Sequence, residues 1–260
     1  MKDRFTLFGI LGGLGVIFVS MFLEGSNPMV LFKPAPLLLE FGGTTAVSLA
    51  GFLKSDAGTF RNVFKKAIGG TPQAMTESIT TLTELAEVAR KDGLLALEKA
   101  GSEIDDPFFK RGIEMTVDGT DPEEIRDVLE GEIHALQMRH KAGAKFFGDM
   151  GGFAPTLGIL GTVIGLIHVL ANLSNPQVLG PAIAEAFTAT LWGVLSANII
   201  WLPISNKLKR ASEEEAKGRR LILDGILAIQ AGNSPRNVQS KLQAYLSPAD
   251  RAAIAATKAA

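Results

Sequence analysis

The sequence has no cysteine and only three histidines among its 260 residues. Without cysteine there is no disulfide framework, no thiol nucleophile and no thiolate ligand for an iron–sulfur cluster. His134, His140 and His168 are too few and too widely spaced for a convincing metal site. The formal net charge of -1 provides no bulk attraction for nucleic acid, so we expect no nucleic-acid partner.

Hydrophobic residues, by contrast, make up 47% of the chain, more than one soluble core of this size needs. They collect in four runs that reach, or nearly reach, the roughly 20 residues needed to cross a bilayer. The runs are residues 5–23, 36–53, 147–173 and 182–204. The first follows Lys2 and Arg4 but lacks a small-residue cleavage pattern, so we expect a retained anchor rather than a signal peptide. The predicted fold is an all-α integral membrane protein with four transmembrane helices in contact with membrane lipid.

The positions of Lys and Arg predict the orientation. Only Lys33 lies between the first two runs and neither residue type lies between the last two, whereas the central loop and the tail carry nearly all the others. Because cytoplasmic flanks retain positive charge, the protein is predicted to be multi-pass with both termini and the central loop in the cytoplasm. The predicted domains are a transmembrane hairpin (1–53), a helical cytoplasmic domain (54–146), a second transmembrane hairpin (147–206) and cytoplasmic C-terminal helices (207–260).

A capping residue followed by proline, a pattern typical of helix starts, predicts four helix starts in the polar regions. They are Thr71-Pro72, Asp121-Pro122, Ser234-Pro235 and Ser247-Pro248. Gly93 is predicted to end the first of these helices, which places Glu98 in a separate short segment. No strong breaker precedes the third span, so the helix from Pro122 is predicted to continue into it, and the fourth span to continue into the tail.

Small residues recur at helical spacing in the third and fourth spans. The third has Gly151, Pro155, Gly158, Thr162 and Gly165, and the fourth has Ala186, Thr190, Gly193 and Ala197. Such stripes let helices approach closely in lipid, either within one chain or between subunits. Pro155 and Pro203 lie inside the spans, where each removes a backbone donor, so we expect kinks there.

The spans are also expected to lack an ionisable group at mid-depth. Glu24, Glu40, Asp149 and Glu185 are predicted near span ends, with His168 toward the external end of the third span. A charge at the bilayer centre costs about 2.5–3.5 kcal/mol on insertion scales, and such groups mark ion pathways. If this chain conducts cations, the carboxylate that carries them therefore belongs to another subunit, and a hetero-oligomer is predicted.

Several segments resemble the MotA/PomA family of flagellar stator subunits, which is related to TolQ and ExbB. They are residues 104–108 (IDDPF), 118–122 (DGTDP), 154–165 (APTLGILGTVIG) and 225–232 (GILAIQAG), followed by Pro235-Arg236. The resemblance covers nearly the whole chain. It implies a stator subunit of the bacterial inner membrane, not an enzyme, that needs no cofactor and turns ion-motive force into torque. In that family a pentamer surrounds two copies of a single-span, peptidoglycan-anchored MotB-type partner, whose aspartate carries the ion, and drives the rotor protein FliG.

The resemblance also implies roles for individual residues. Arg90 and Glu98 match the family's rotor-facing charged pair, and Pro155 and Pro203 match its two functional prolines, which couple conformational change. Pro155 is also assigned to the ion pathway with Thr162 and Thr190, whose hydroxyl oxygens suit a hard cation held transiently. The transported cation is predicted to be sodium or a proton. Sodium is favoured because sodium-type members have threonines at these positions, whereas many proton-type members have alanine in place of Thr162.

Three alternatives stay open at this level. A TolQ/ExbB-type energiser of an envelope-spanning partner resembles a three-span protein with an external N-terminus, and the first apolar run argues against it. An intramembrane enzyme would need a nucleophile and a base at matched depth, but Ser20, Ser48 and Ser196 have no paired histidine other than His168. A passive membrane scaffold would explain the stripes of small residues equally well.

Overall fold

The computed structural model describes residues 5–52 and 75–257, and every regular element in those ranges is helical. The described residues form two compact units, one containing residues 5–52 and 139–210, the other residues 75–138 and 211–257. The predicted helix start at Thr71-Pro72 lies outside the described residues. The three boundaries between the four predicted domains are positions of the membrane surface, which the packing of the chain does not locate, and they stay predictions.

The helices are named here in chain order. The first unit begins with α1 (Phe5–Leu23), a 3-10 turn (Pro28–Leu31) and α2, which consists of Pro34–Leu37, a π-helical segment Leu38–Gly43 and Thr44–Ala50. Then follow α3 (Met75–Asp92), α4 (Leu97–Ser102), α5 (Pro107–Val117) and α6 (Pro122–Ala171). The last helices are α7, made of Pro176–Leu195, a π-helical segment Ser196–Trp201 and Leu202–Gln230, then α8 (Pro235–Leu242) and α9 (Pro248–Thr257).

Three helices of the described ranges are long and apolar enough to cross a membrane: Phe5–Leu23, Pro122–Ala171 and Pro176–Gln230. The first has the predicted bounds, and none of its residues is buried. An apolar helix with no buried face is typical of contact with lipid. The fold class of an all-α membrane protein is therefore confirmed. The count of four spans stays a prediction, because α2 is shorter than each of these three helices and a π-helical segment interrupts it.

Helix starts follow the predicted caps. The Asp121 carboxylate accepts a hydrogen bond from the backbone N–H of Glu123 at 2.9 Å, where α6 begins. Ser234 accepts from the N–H of Asn237 at 3.3 Å, and Ser247 accepts from that of Asp250 at 3.2 Å. These side chains satisfy amides that have no partner in the first helical turn. The predicted starts at residues 122, 235 and 248 are confirmed.

The predicted continuity of the two long helices is also confirmed. Helix α6 runs without interruption over 50 residues, and Gly131 and Gly143 do not break it. Helix α7 continues through a π-helical segment to Gln230, but it begins at Pro176, several residues before the predicted apolar run. Pro176 is a good first helical residue because its missing N–H would have had no partner there. Pro181 consequently lies inside α7 rather than in a loop.

The second unit has its own apolar core. Helical segments before residue 139 and after residue 210 build it. Its fully buried side chains include Leu82, Leu97, Ile125, Leu129 and Ile226. The chain turns sharply between α3 and α4 at Gly93, whose φ of 83° is a conformation that favours glycine. This confirms that Glu98 lies on a separate short helix from Arg90.

Candidate functional sites in the two units

Helices α6 and α7 are in backbone contact along their stripes of small residues. A β-carbon added at Gly158 would lie 2.9 Å from the carbonyl oxygen of Ala189, and one added at Gly193 would lie 2.7 Å from that of Ala154. Nothing larger than glycine fits at these positions without a backbone shift. Of the two possible uses of the stripes, the structure shows packing within the chain.

Thr162 and Thr190 meet at this contact. Their hydroxyl groups are hydrogen-bonded to each other, and the Thr162 oxygen lies 3.0 Å from the Ala186 carbonyl oxygen. The carbonyl oxygen of Gly158 is 3.3 Å from the Thr162 hydroxyl and 3.1 Å from the Thr190 hydroxyl. Two hydroxyl and two carbonyl oxygens are thus gathered in a partly buried cluster, which we call the threonine pair. Oxygen ligands of this kind suit a hard cation such as sodium.

Pro155 and Pro203 lie on the two helices that form this contact. Pro155 is inside α6, one helical turn from Gly158, and α6 remains helical through it. Pro203 lies two residues after the end of the π-helical segment Ser196–Trp201 of α7. Proline cannot donate to the carbonyl four residues earlier, and a π-helical turn is one way in which a helix accommodates that loss. Their roles in conformational coupling stay a prediction.

The predicted rotor-facing residues lie in the second unit and are both exposed. Arg90 is in the last turn of α3 and Glu98 is in the first turn of α4. Neither forms an ion pair with a residue in the ranges 5–52 and 75–257. Glu98 also lines a cavity of about 540 Å³ together with Lys110, Glu114 and Asp118. The two side chains are therefore available for an external partner, while their role stays a prediction.

One functional candidate was missed by the sequence analysis. Glu40 was placed near a span end, but only 1% of it is exposed and it packs against the middle of α7. Its Oε1 accepts a hydrogen bond from the Ser196 hydroxyl at 3.0 Å and one from Thr44 at 3.4 Å. Its Oε2 has no hydrogen-bond partner and lies 3.3 Å from the position of a β-carbon at Gly193. The sequence therefore did not predict a carboxylate buried between helices, while the expectation that no ionisable group lies at mid-depth of the membrane stays a prediction.

The position of Glu40 within the apolar run from residue 36 to 53 did not predict the burial of its carboxylate. Its depth in the run depends on where the run is taken to begin, and its burial depends on helices that come more than 100 residues later. A carboxylate inside a run of apolar residues is itself a signal of function, however, because burying it is costly.

His168 and Glu185 line a cavity in the first unit. The cavity has a volume of about 670 Å³, and its lining also includes Pro36, Gly165 and Pro181. Leu39, next to Glu40, also lines it. No group of three or more histidine and acidic residues suited to holding a metal ion occurs in the described part of the chain.

Long apolar helices, a close glycine contact and buried polar groups between helices define an integral membrane protein with polar side chains buried among its helices. Residues 100–220 match the family model described as the MotA/TolQ/ExbB proton channel family. The chain is 39% identical to Motility protein A of Bacillus subtilis (strain 168) over 253 residues, which are 96% of this chain and 93% of that protein. It is 36% identical to Chemotaxis protein PomA of Vibrio alginolyticus over 250 residues, which are 96% of this chain and 98% of that protein.

A solved structure agrees with these similarities. A chain of the flagellar MotAB stator complex from Bacillus subtilis superposes with a TM-score of 0.89 at 38% identity, covering 95% of this chain and 98% of that chain. The chain therefore belongs to the MotA/TolQ/ExbB proton channel family, on its MotA/PomA side. That placement is favoured over the TolQ/ExbB alternative because the full-length relatives are motility proteins. The family is one of channels and stators rather than a class of enzymes.

Proposed function

We propose that this chain is the channel-forming stator subunit of a flagellar motor, which couples cation flow across the inner membrane to torque on the rotor. The observation that carries this proposal is the similarity over almost the full length of proteins named for motility and chemotaxis. The helices long enough to cross a membrane are consistent with it. A MotB-type partner is proposed because the similar solved structure is a MotAB complex.

In the proposed arrangement the chain crosses the membrane four times, with both termini in the cytoplasm. The distribution of Lys and Arg supports this orientation, since few of them lie in the two short connections between paired spans. A homo-pentamer around the partner is the assembly that the family resemblance suggests. A reporter fused to Met1 tests the orientation, and periplasmic exposure of that reporter would favour a TolQ/ExbB-like topology instead.

The proposed torque-transmitting surface includes Arg90 and Glu98, and its proposed partner is the rotor switch protein FliG. Both side chains are exposed and lack an ion-pair partner within the described ranges, which supports contact with a second protein. Exposed charges without an ion-pair partner contribute little to stability, so the fold does not depend on these two side chains.

The proposed ion pathway includes Pro155 and the threonine pair, with sodium as the favoured cation and a proton as the alternative. The four oxygen atoms gathered at the threonine pair support the choice of a hard cation. A threonine in a helix also bonds commonly to its own preceding turn, as Thr188 does to the Ala184 carbonyl at 2.8 Å. The contact of Thr162 with Ala186 and Thr190 across two helices is what distinguishes the pair.

Deletion of the gene and copurification together test the proposed function. We expect the deletion strain to lose swimming, complementation to restore it, and the tagged chain to copurify with a single-span peptidoglycan-binding protein. A deletion strain that swims normally in media with and without sodium, in a cell with no second stator, would contradict the motor assignment. Copurification with a TonB-like or TolA-like partner instead would favour the energiser alternative.

A further inference from the structure

We propose that the Glu40 carboxylate and the hydroxyl groups around it form a binding site for a monovalent cation, either a proton or Na⁺, inside this subunit. The site consists of Glu40, Thr44 and Ser196, each with no more than 1% of its surface exposed. We call it the Glu40 site. Its hydrogen bonds involve neither hydroxyl of the threonine pair, it is distinct from the carboxylate expected on the partner subunit, and its spectroscopic readout does not depend on the motor assignment.

One oxygen of the Glu40 carboxylate lacks a partner. Glu40 accepts hydrogen bonds at Oε1, from Ser196 at 3.0 Å and from Thr44 at 3.4 Å. Its Oε2 is buried without a hydrogen-bond partner among the described residues. Leaving a buried polar atom unpaired costs about 1–3 kcal/mol, and more for a charged group. A cation held at Oε2 would neutralise the carboxylate and satisfy that oxygen.

No balancing charge is in contact with Glu40. Its hydrogen-bond partners are Thr44 of its own helix and Ser196 of α7, its Oε2 lies against Gly193 of α7, and none of these residues is titratable. No ion pair joins Glu40 to any residue of the ranges 5–52 and 75–257. The titratable groups nearest to this contact along α6 and α7 are Asp149, His168 and Glu185. Asp149 pairs with Lys145 at 2.5 Å, and His168 and Glu185 line the cavity of about 670 Å³.

The backbone at the site is irregular on both helices. The two π-helical segments of the described chain, Leu38–Gly43 and Ser196–Trp201, each contribute one member, Glu40 and Ser196 respectively. π-Helical turns are costly, are rare, and occur frequently at functional sites. Their pairing across two helices at one buried carboxylate indicates that the site is built rather than incidental. Carboxylate and hydroxyl oxygens are also the ligands that hard cations prefer.

The test is infrared difference spectroscopy on the full chain purified in complex with its partner. Spectra are recorded as the pH is changed without sodium, and as sodium is changed at constant pH, for the parent and for Glu40→Gln. The near-isosteric glutamine can still accept the Ser196 hydrogen bond, so the fold is preserved. The difference between parent and variant isolates the carboxylic acid band of Glu40 from the bands of the other carboxyl groups.

We expect a Glu40-specific acid band that disappears as the cation exchanges. Loss of the band on raising pH alone identifies a proton site. Loss of the band on adding Na⁺ identifies a site where Na⁺ replaces the proton. A band that persists through both titrations means a permanently protonated structural acid and overturns the proposal. The absence of a Glu40-specific acid band under every condition means a permanently ionised group and overturns it equally.

Two control substitutions separate binding from general disturbance. Glu24→Gln changes an exposed carboxylate in the same N-terminal segment, residues 5–52. This substitution should leave the acid band of Glu40 unaltered. Ser196→Ala removes a hydroxyl at the site and should shift the midpoint of the titration. Ser205→Ala removes an equally buried hydroxyl that bonds to the Ala144 carbonyl at 2.8 Å, away from Glu40, and should not shift it. Equal shifts in the two serine variants would contradict the role of Ser196.

Discussion

The hydroxyl group of Thr162 on α6 bonds to residues of α7. We expect its removal to reduce ion flow before it affects assembly. In Thr162→Ala the contacts with Thr190 and with the Ala186 carbonyl disappear. Hydrogen bonds between membrane helices contribute about 0.6 kcal/mol on average, so the complex should still assemble. We expect reduced sodium-dependent swimming at normal membrane abundance, measured as swimming speed against external sodium.

Thr188→Ala is the matched control for this experiment. Thr188 is 6% exposed, is on the same helix as Thr190 and bonds only to its own preceding turn. Its replacement should leave the sodium dependence unchanged. If the speed of both the parent and Thr162→Ala follows external pH and ignores sodium, the transported cation is a proton and the role given to the threonine pair is wrong.

Arg90 tests the rotor contact by charge reversal. Since Arg90 is exposed and pairs with no residue in the described part of the chain, Arg90→Glu should not lower abundance in the membrane. We expect weaker torque, because the introduced carboxylate repels whatever acidic group of the rotor the arginine attracts. The control is Arg236→Glu, another exposed arginine of the same unit. Equal torque in the parent and Arg90→Glu in a tethered-cell assay would remove the rotor assignment.

Tyr245 offers a probe of the second unit because it is the only tyrosine in the chain. Burial and then the hydrogen bond donated to Asp224, 2.6 Å long, raise its pKa from 10.0 to about 12. The folded state therefore holds the phenolic proton more tightly than the unfolded state. The resulting stabilisation is complete below pH 10 and is lost as the pH rises toward about 12.

Absorbance of the single tyrosinate group measures this directly. We expect a midpoint near 12 for the folded protein and near 10 after denaturation. Asp224→Asn should lower the folded midpoint only part of the way, because burial is the larger cause and persists in the variant. A folded midpoint that equals the denatured one would show that Tyr245 is not in the described environment.

At the scale of elements, the contact between α6 and α7 depends on glycines. In Gly158→Ala the new methyl group would meet the Ala189 carbonyl oxygen at 2.9 Å, which forces the helices apart at a cost of about 1–3 kcal/mol. Gly152→Ala is the matched control, since no atom lies within 4 Å of its β-carbon position. Both changes gain the same helix propensity, so their difference reports the contact alone.

Thermal unfolding of the purified complex measures that difference. We expect a lower Tm for Gly158→Ala than for the parent and an equal or higher Tm for Gly152→Ala. A similar Tm in both variants would show that the helices are not in backbone contact at Gly158.

At the scale of the whole molecule, ion flow should require the partner. The Glu40 site is enclosed within the chain, with only 1% of Glu40 exposed, so it does not by itself provide an open path for cations. We expect liposomes containing the chain alone to show little current, and liposomes containing the chain with its MotB-type partner to show much more. Currents of equal size in the two preparations would contradict the need for a hetero-oligomer.

The elements with local chemical signals were predicted from the sequence. An aspartate or serine before a proline satisfies amides within one helical turn, so the starts at Pro122, Pro235 and Pro248 were predicted correctly. The length and apolarity of Phe5–Leu23 need no partner to indicate a membrane helix. The glycine stripes indicated a close contact, and only their partner helix was undetermined.

What only the tertiary structure decided is the environment of groups whose neighbours are distant in sequence. The burial of Glu40 depends on Ser196 and Gly193, which lie more than 150 residues later in the sequence. The pairing of Thr162 with Thr190 likewise depends on the register of α6 against α7. A pattern along one helix specifies which face is small or polar, because the helical repeat is local. It does not specify which polar atoms of another helix will meet that face, because the packing of whole helices sets their distance and depth.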